Sequence, residues 1–344
     1  VKRILSPALL LALPLLAAAA RPPAPATSAA VPETEVLGRM SDAQRMAETD
    51  PPWLGKAVHD LAARGDADSL LAAALMTRDP AQRAQYAQAA SLVAPRDADL
   101  AWLHWQFCEA AANCDTGAAL AWLQALEPDN AATWVPAAAR ADRAGDAQAL
   151  DHALQKMADA PRFDPHAWRL AQRALRVRAA APLPPGLSPD HRDDYLVDFF
   201  EGAMQAMQQQ GPFERDTLAL AAACGHPQAP RVRRQVCVRI GTSMENSGTL
   251  VAMLAGSRMV MRNSDNPAER DDARRRLRAV TWRVTQFPAL AGSAYDDTAL
   301  ARAWLDALRT QRSEDAALII LLQSRHVPLQ PPAGWQPPQA AAGQ

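Results

Sequence analysis

Prolines at 95, 128 and 161 stand 33 residues apart, and a proline in a helix interior removes a hydrogen bond and clashes with the preceding turn. A chain punctuated in this way builds short helices, each of which must turn back within its own unit. The units carry apolar residues at helical spacing, and most have a second break at Gly65-Asp66, Asn113 or Gly145-Asp146. Glycine accepts the left-handed backbone that ends a helix, and asparagine is the next most tolerant residue. The aspartate after the glycine then caps the following helix. Tryptophans at 53, 102 and 134 each precede a turn by eleven or twelve residues, and a fourth, Trp168, follows Trp134 by 34. Apolar helices follow the turns: "DADSLLAAAL", "CDTGAALAWL" and "DAQALDHAL".

The unit "AATWVPAAARADRAGDAQALDHALQKM" combines Trp134, the small Ala138, Gly145-Asp146 and the apolar Leu150 and Leu154. It resembles the tetratricopeptide repeat, whose period is 34 and whose unit is two antiparallel helices. Ala141 stands where that family carries an aromatic residue. The likeness spans roughly residues 50–175, and it implies stacked helix hairpins presenting an extended binding surface. The second half is also helical in pattern, without that register. "LVDFFEGAMQAM" sets Leu196, Phe200, Met204 and Met207 on one face, and "TALARAWLDAL" does so with Leu300, Trp304 and Leu308. No stretch reads as a strand. The expected fold is therefore all-α: tetratricopeptide-like antiparallel hairpins (an α-solenoid) over 37–180, then a C-terminal helical bundle over 190–327. Between them "AAAPLPPGLSPD", Ala179 to Asp190, cannot continue a helix, so residues 181–189 are expected to join two domains.

The ends read differently. Lys2 and Arg3, the apolar run Ile4–Leu16 and the Ala18-x-Ala20 step form a Sec-type signal peptide over 1–20. The apolar run contains Pro7 and Pro14 and falls short of the about 20 residues needed to span a bilayer. No stable membrane span is expected once it is cleaved, and the chain is placed in the periplasm or outside the cell. Residues 21–36 read as a disordered, proline- and alanine-rich leader, and 328–344 as a disordered proline-rich tail. Trp335 is anomalous there, since no core is predicted around it. The formal net charge of −1 argues against nucleic acid as a partner.

Four cysteines fall in two local pairs, and in an exported chain the default reading is disulfide bonds, with free buried thiols as the alternative. Six helical residues rise about 9 Å, more than the roughly 4.4–6.8 Å between Cα atoms that a disulfide accepts. A Cys108–Cys114 bond therefore requires the helix to end near Ala112 and the chain to fold back at Asn113. For Cys224 and Cys237, Gly225, Pro227 and Pro230 must end one helix, and another must begin near Arg231. The spacings match neither the short C-x₂₋₄-C of zinc sites nor the C-x-x-C of redox pairs, and no metal or cofactor is expected.

The seven histidines form no metal or catalytic motif, and no phosphate loop, nucleophile elbow or dinucleotide fingerprint occurs. His104, in the Trp102–Trp105 aromatic stretch, is expected to be a packed or capping residue and not a ligand. "SPDHRDDYL" is expected to open a helix, with acidic residues favouring its N-terminal dipole. "GTSMENSG", Gly241 to Gly248, is expected to be a polar loop between helices, and "RRRLR", Arg274 to Arg278, a salt-bridged helix face. Three functions remain open: an interaction scaffold or assembly factor of the bacterial cell envelope, without catalysis, binding another envelope protein or peptide; an envelope hydrolase or other enzyme with its site around His191, Asp193 or Glu245; and a structural protein. Oligomeric state is not written in the sequence.

Overall fold

The computed structural model describes residues 52–337, apart from 110, 227–228 and 295–296. The signal peptide, the leader and the last seven residues of the tail lie outside the described residues. Fifteen α-helices and two short 3₁₀ turns make up the regular structure, and no strand occurs among the described residues. The fold is all-α. None of these helices is long and apolar enough to cross a membrane.

The first half begins with α1 (Pro52–Arg64), α2 (Ala67–Met76), α3 (Pro80–Val93), α4 (Ala98–Cys108) and α5 (Thr116–Leu126), in which each helix packs on the next. A 3₁₀ turn (Ala131–Trp134) leads into α6 (Val135–Arg143), which pairs with α7 (Ala147–Asp159). The turn chemistry is as the residue types require. Gly65 and Gly145 hold φ of 71° and 67°, in the left-handed region. Asp66 and Asp146 accept hydrogen bonds from the Ser69 and Ala149 backbone N–H groups, capping α2 and α7. Leu150, Leu154 and Met157 point inward and are buried.

α8 (Ala167–Ala180) packs on α2 and α4. Past the proline-rich segment, α9 (Arg192–Gln210) lies against α8, α2 and α4, burying Leu196, Phe200, Met204 and Met207 as the pattern requires. α10 (Phe213–Cys224) docks on α6, and α11 (Arg231–Glu245) on α7. α12 (Leu250–Asn263), α13 (Pro267–Ala294), α14 (Thr298–Thr310) and α15 (Glu314–Ser324) complete the chain. One contiguous hydrophobic core runs through both halves. Residues 181–189, expected to join two domains, connect α8 and α9, which pack on each other. Trp53 meets Tyr195 edge-on at 6.4 Å, and Arg143 pairs with Asp216 at 2.9 Å.

Both cysteine pairs stand at disulfide distance. Cys108 and Cys114 have Cα atoms 5.2 Å apart, and Cys224 and Cys237 5.8 Å apart. α4 ends at Cys108 itself, four residues before the expected Ala112, because the short closed loop needs every intervening residue for its return. The second pair follows expectation: α10 ends at Cys224 and α11 starts at Arg231.

Two further local expectations change. The first half of "GTSMENSG" is helix, since α11 runs to Glu245. Gly241 faces Gly256 across the α11–α12 crossing, where a Cβ on Gly241 would sit 2.8 Å from the Gly256 carbonyl oxygen and one on Gly256 2.5 Å from that of Gly241. The two helices approach so closely only because both positions lack a side chain. The proline-rich tail is also not featureless: within 328–337 its backbone carbonyls accept hydrogen bonds from α13. The arginine run 274–278 behaves as expected on its exposed side, pairing with Asp271 at 2.5 Å and with Asp272 at 2.9 and 3.1 Å.

Candidate functional site

The 33-residue proline spacing has a direct structural counterpart. Pro95, Pro128 and Pro161 each follow a helix end by two residues, after Val93, Leu126 and Asp159. The loops they open lie at the same edge of the hairpin row. In the first, Asp97 accepts from the Asp99 and Leu100 N–H groups and caps α4. In the second, the Asn130 side-chain oxygen accepts from the Ala132 N–H and caps the 3₁₀ turn. The third loop zips onto the second. Asn130 Nδ2 donates to the Asp164 carbonyl at 2.8 Å, the Asp164 N–H returns to Asn130 Oδ1 at 2.9 Å, and the Ala131 N–H donates to the Arg162 carbonyl at 2.8 Å.

His166 lies at the centre. It precedes α8 with φ 58°, a left-handed backbone uncommon for a residue with a side chain. That conformation turns the ring inward, where it is fully covered. Nδ1 lies 2.7 Å from Asp99 Oδ1, and Nε2 lies 2.6 Å from Glu127 Oε2. Trp102 covers the ring at a centroid distance of 5.0 Å. Three arginines complete the cluster. Arg169 shares Asp99 at 2.7 Å, Arg162 reaches Glu127 at 2.7 Å, and Arg173 bridges Asp68 at 2.6 Å and Asp97 at 2.8 Å.

The electrostatics follow from this pairing. Burial alone would lower the His166 pKa, but hydrogen bonds with Asp99 and Glu127 outweigh it and raise the pKa above the ordinary value. Burial would likewise raise both carboxyl groups. Hydrogen bonds from His166 and Arg169 hold Asp99 well below the usual range, and those from His166, Asn130 and Arg162 hold Glu127 at about 2. The cluster is an imidazolium clamped between two carboxylates. With both ring nitrogens engaged and no face open to solvent, His166 cannot exchange a proton with a substrate. His166 ties α4 to the two loops, and Arg173 on α8 adds α2 through Asp68.

A second concentration of chemistry lies between α8, α9, α12, α13, α14 and α15. Trp168, Phe200, Phe287 and Trp304 wall a small apolar cavity that also contacts Glu201 and Glu314. Burial pushes both carboxyl groups up to about 7. Glu201 accepts from the Trp304 indole N–H at 3.1 Å, and Glu314 accepts from the Leu250 N–H at 3.0 Å, capping α12 from outside. Both acids have structural partners, and neither is met by a cation among the described residues.

His104 is buried as expected, and its Nε2 lies 3.3 Å from Cys114 Sγ, with Cys108 alongside. His, Cys and Cys would suit a borderline or soft metal ion, yet with the sulfurs bonded to each other this group offers one nitrogen.

The enzyme candidates are not brought together. His191 pairs with Asp194 at 3.2 Å and Asp193 with Arg302 at 3.5 Å, both at the start of α9. Glu245 instead accepts from Ser257 at 2.8 Å and faces Arg276 at 3.4 Å, between α11, α12 and α13. Ser188 caps the turn before His191, and Asp193 and Asp194 stand in the first helical turn, so that stretch opens a helix as its residue types require. Sequence reasoning missed the His166 cluster. Its available signal was an Asp or Asn two residues after Pro95 and Pro128, in step with the spacing already noted.

No family model matches this chain, and neither a curated protein nor a solved structure does.

Proposed function

We propose that this chain is an exported interaction protein of the cell envelope, a scaffold or assembly factor that performs no chemistry of its own. The observation that carries this reading is the row of short hairpins with loops in 33-residue register, fastened by Asn130, Asp164 and His166. Such a row is related to tetratricopeptide-like arrays by its period and turn chemistry, and it holds surface helices in fixed relation for a partner to read. The two local cysteine pairs favour an oxidising compartment, in agreement with the signal-like first twenty residues.

The reading is tested by placing a photo-cross-linking amino acid at exposed Leu92 and Val93, at the end of α3, in the full chain expressed in bacteria with its N-terminus intact. A discrete adduct with one envelope protein, dependent on position, is expected. Cross-linking that is diffuse at every position tested, or a product confined to the cytoplasm with free thiols, overturns it.

A further inference from the structure

Beyond α15 the described chain, as far as residue 337, stays against the molecule. Residues 328–337 lie on one face of α13, held by Arg278 and Trp282, one helical turn apart. The Trp282 indole N–H donates to the Pro328 carbonyl at 2.7 Å. The Arg278 guanidinium donates to the carbonyls of Pro332 at 2.6 Å, Ala333 at 3.2 Å and Trp335 at 2.8 Å. Trp335 meets Trp282 edge-on, with centroids 5.4 Å apart, and its ring centroid is 5.9 Å from Arg278 Cζ.

Each of these hydrogen bonds ends on a main-chain carbonyl. That matches the ligand, because proline keeps its carbonyl and has no N–H, so a proline-rich segment is rich in free acceptors. Here Arg278 gathers those of a turn closed by the Trp335 N–H on the Pro332 carbonyl at 3.0 Å. The helix supplies groups that only donate, a guanidinium and an indole. Main-chain capture tolerates many sequences; the selective element is the ring pairing of Trp335 with Trp282. The chain's other proline-rich stretches, residues 21–36 and 179–190, have no aromatic residue and lack that element.

We propose that the Arg278–Trp282 face of α13 is a peptide-docking site for a proline-rich turn carrying one aromatic residue on a partner protein, and that the chain's own tail fills it until displaced. This rests on the interaction reading above and names the chemistry of the partner. A tethered tail competes at an effective concentration in the millimolar range for a short linker, so only a partner segment that binds better, or is locally concentrated, displaces it.

The test uses the full chain and a labelled synthetic peptide, VPLQPPAGWQP, corresponding to residues 327–337, followed by fluorescence anisotropy. Trp335→Ala in the protein should free the face and give saturable binding. The unaltered chain should bind at least tenfold more weakly. Adding Arg278→Ala to Trp335→Ala should weaken binding at least tenfold with the helix content unchanged by circular dichroism, since Arg278 is half exposed. Absence of saturable binding to the Trp335→Ala chain at millimolar peptide, or binding indifferent to Arg278→Ala, overturns the site. A concentration-dependent dimer of the unaltered chain that Arg278→Ala abolishes overturns the partner, assigning the face to the tail of a second copy. Peptide binding as expected, with no envelope protein cross-linked, leaves the site standing and defeats the interaction reading.

Discussion

Two buried groups of ionisable side chains sit in this molecule under opposite regimes. Around His166, every carboxylate meets a cation: Asp99 meets His166 and Arg169, and Glu127 meets His166 and Arg162. Around Trp304, Glu201 and Glu314 are more deeply covered and meet an indole and a backbone N–H. Pairing overcomes the burial penalty in the first group, and the side chains stay charged. In the second, burial prevails, and carboxyl groups raised to about 7 remain protonated into the neutral range. Counter-ions and shallower cover act together to keep the first group charged, and their absence leaves the second neutral.

The largest expected effect comes from removing that counter-ion. His166→Ala leaves Asp99 and Glu127 without the cation between them, and breaking a buried pair in this way costs about 3–5 kcal/mol. Urea unfolding should show it as a lowered midpoint at an unchanged slope. A loss below about 1 kcal/mol would mean that Arg162 and Arg169 suffice and that the imidazolium is incidental.

The pH dependence separates the two groups. Glu201 and Glu314 have raised pKa values, so their contribution is fully present below the unfolded value near 4.5 and is lost as pH rises to about 7. His166, also raised, loses its contribution as pH climbs through its folded value. Asp99 and Glu127 are lowered, so theirs is present above about pH 4 and is lost as pH falls through their folded values. Stability should therefore peak on the acid side, at about pH 4–5. Glu201→Gln should recover up to about 3 kcal/mol at pH 8 and almost nothing at pH 4.5. A thermal-melt profile that rises steadily from pH 5 to 8 would falsify the neutral state of these acids.

Close packing, not charge, holds the α11–α12 crossing, and Gly241→Ala tests it. The added Cβ would stand 2.8 Å from the Gly256 carbonyl oxygen and 2.9 Å from a Val260 methyl. Overpacking of this kind costs about 1–3 kcal/mol, despite the better helix propensity of alanine. An unchanged melting temperature would show that the helices can part without loss.

The smallest expected difference is between the cysteine pairs. The chain-entropy model gives about 3 kcal/mol for the loop closed by Cys224–Cys237 and about 2.4 kcal/mol for Cys108–Cys114. Cys224→Ala should therefore lower the melting temperature slightly more than Cys108→Ala. The reverse order would point to His104, against Cys114 Sγ at 3.3 Å, as a source of extra stability in the shorter loop.

The fold class was legible because helix period, capping aspartates and turn glycines are local properties. Gly145-Asp146 and the inward face of Leu150, Leu154 and Met157 could be placed without knowing any neighbour. The ends of helices were less legible: α4 stops at Cys108 because of a covalent closure, and nothing within the helix sequence marks that point. Long-range contacts were not legible at all. Glu314 caps a helix that starts 64 residues earlier, and Asp99 meets His166 across 67 residues. Gly241 looked like a loop residue because its partner, Gly256, lies on another helix. Trp335 looked stranded in a tail because its partner, Trp282, does too.

The zipped loops also make the molecule's tolerance of length changes lopsided. A residue inserted between Pro128 and Asn130, or between Pro161 and His166, slides Asn130 past Asp164 and withdraws the imidazolium from Glu127. At the opposite ends of the same helices the contacts are side-chain ion pairs to α10, Glu109 with Arg215 and Arg143 with Asp216, and the stretch between Cys108 and Thr116 is already longer than the glycine turns on either side. One edge of the hairpin row acts as a ruler that keeps units equal. The other is held by flexible side chains and by the Cys108–Cys114 closure, and new sequence entering this chain over time should collect there, outside that closure.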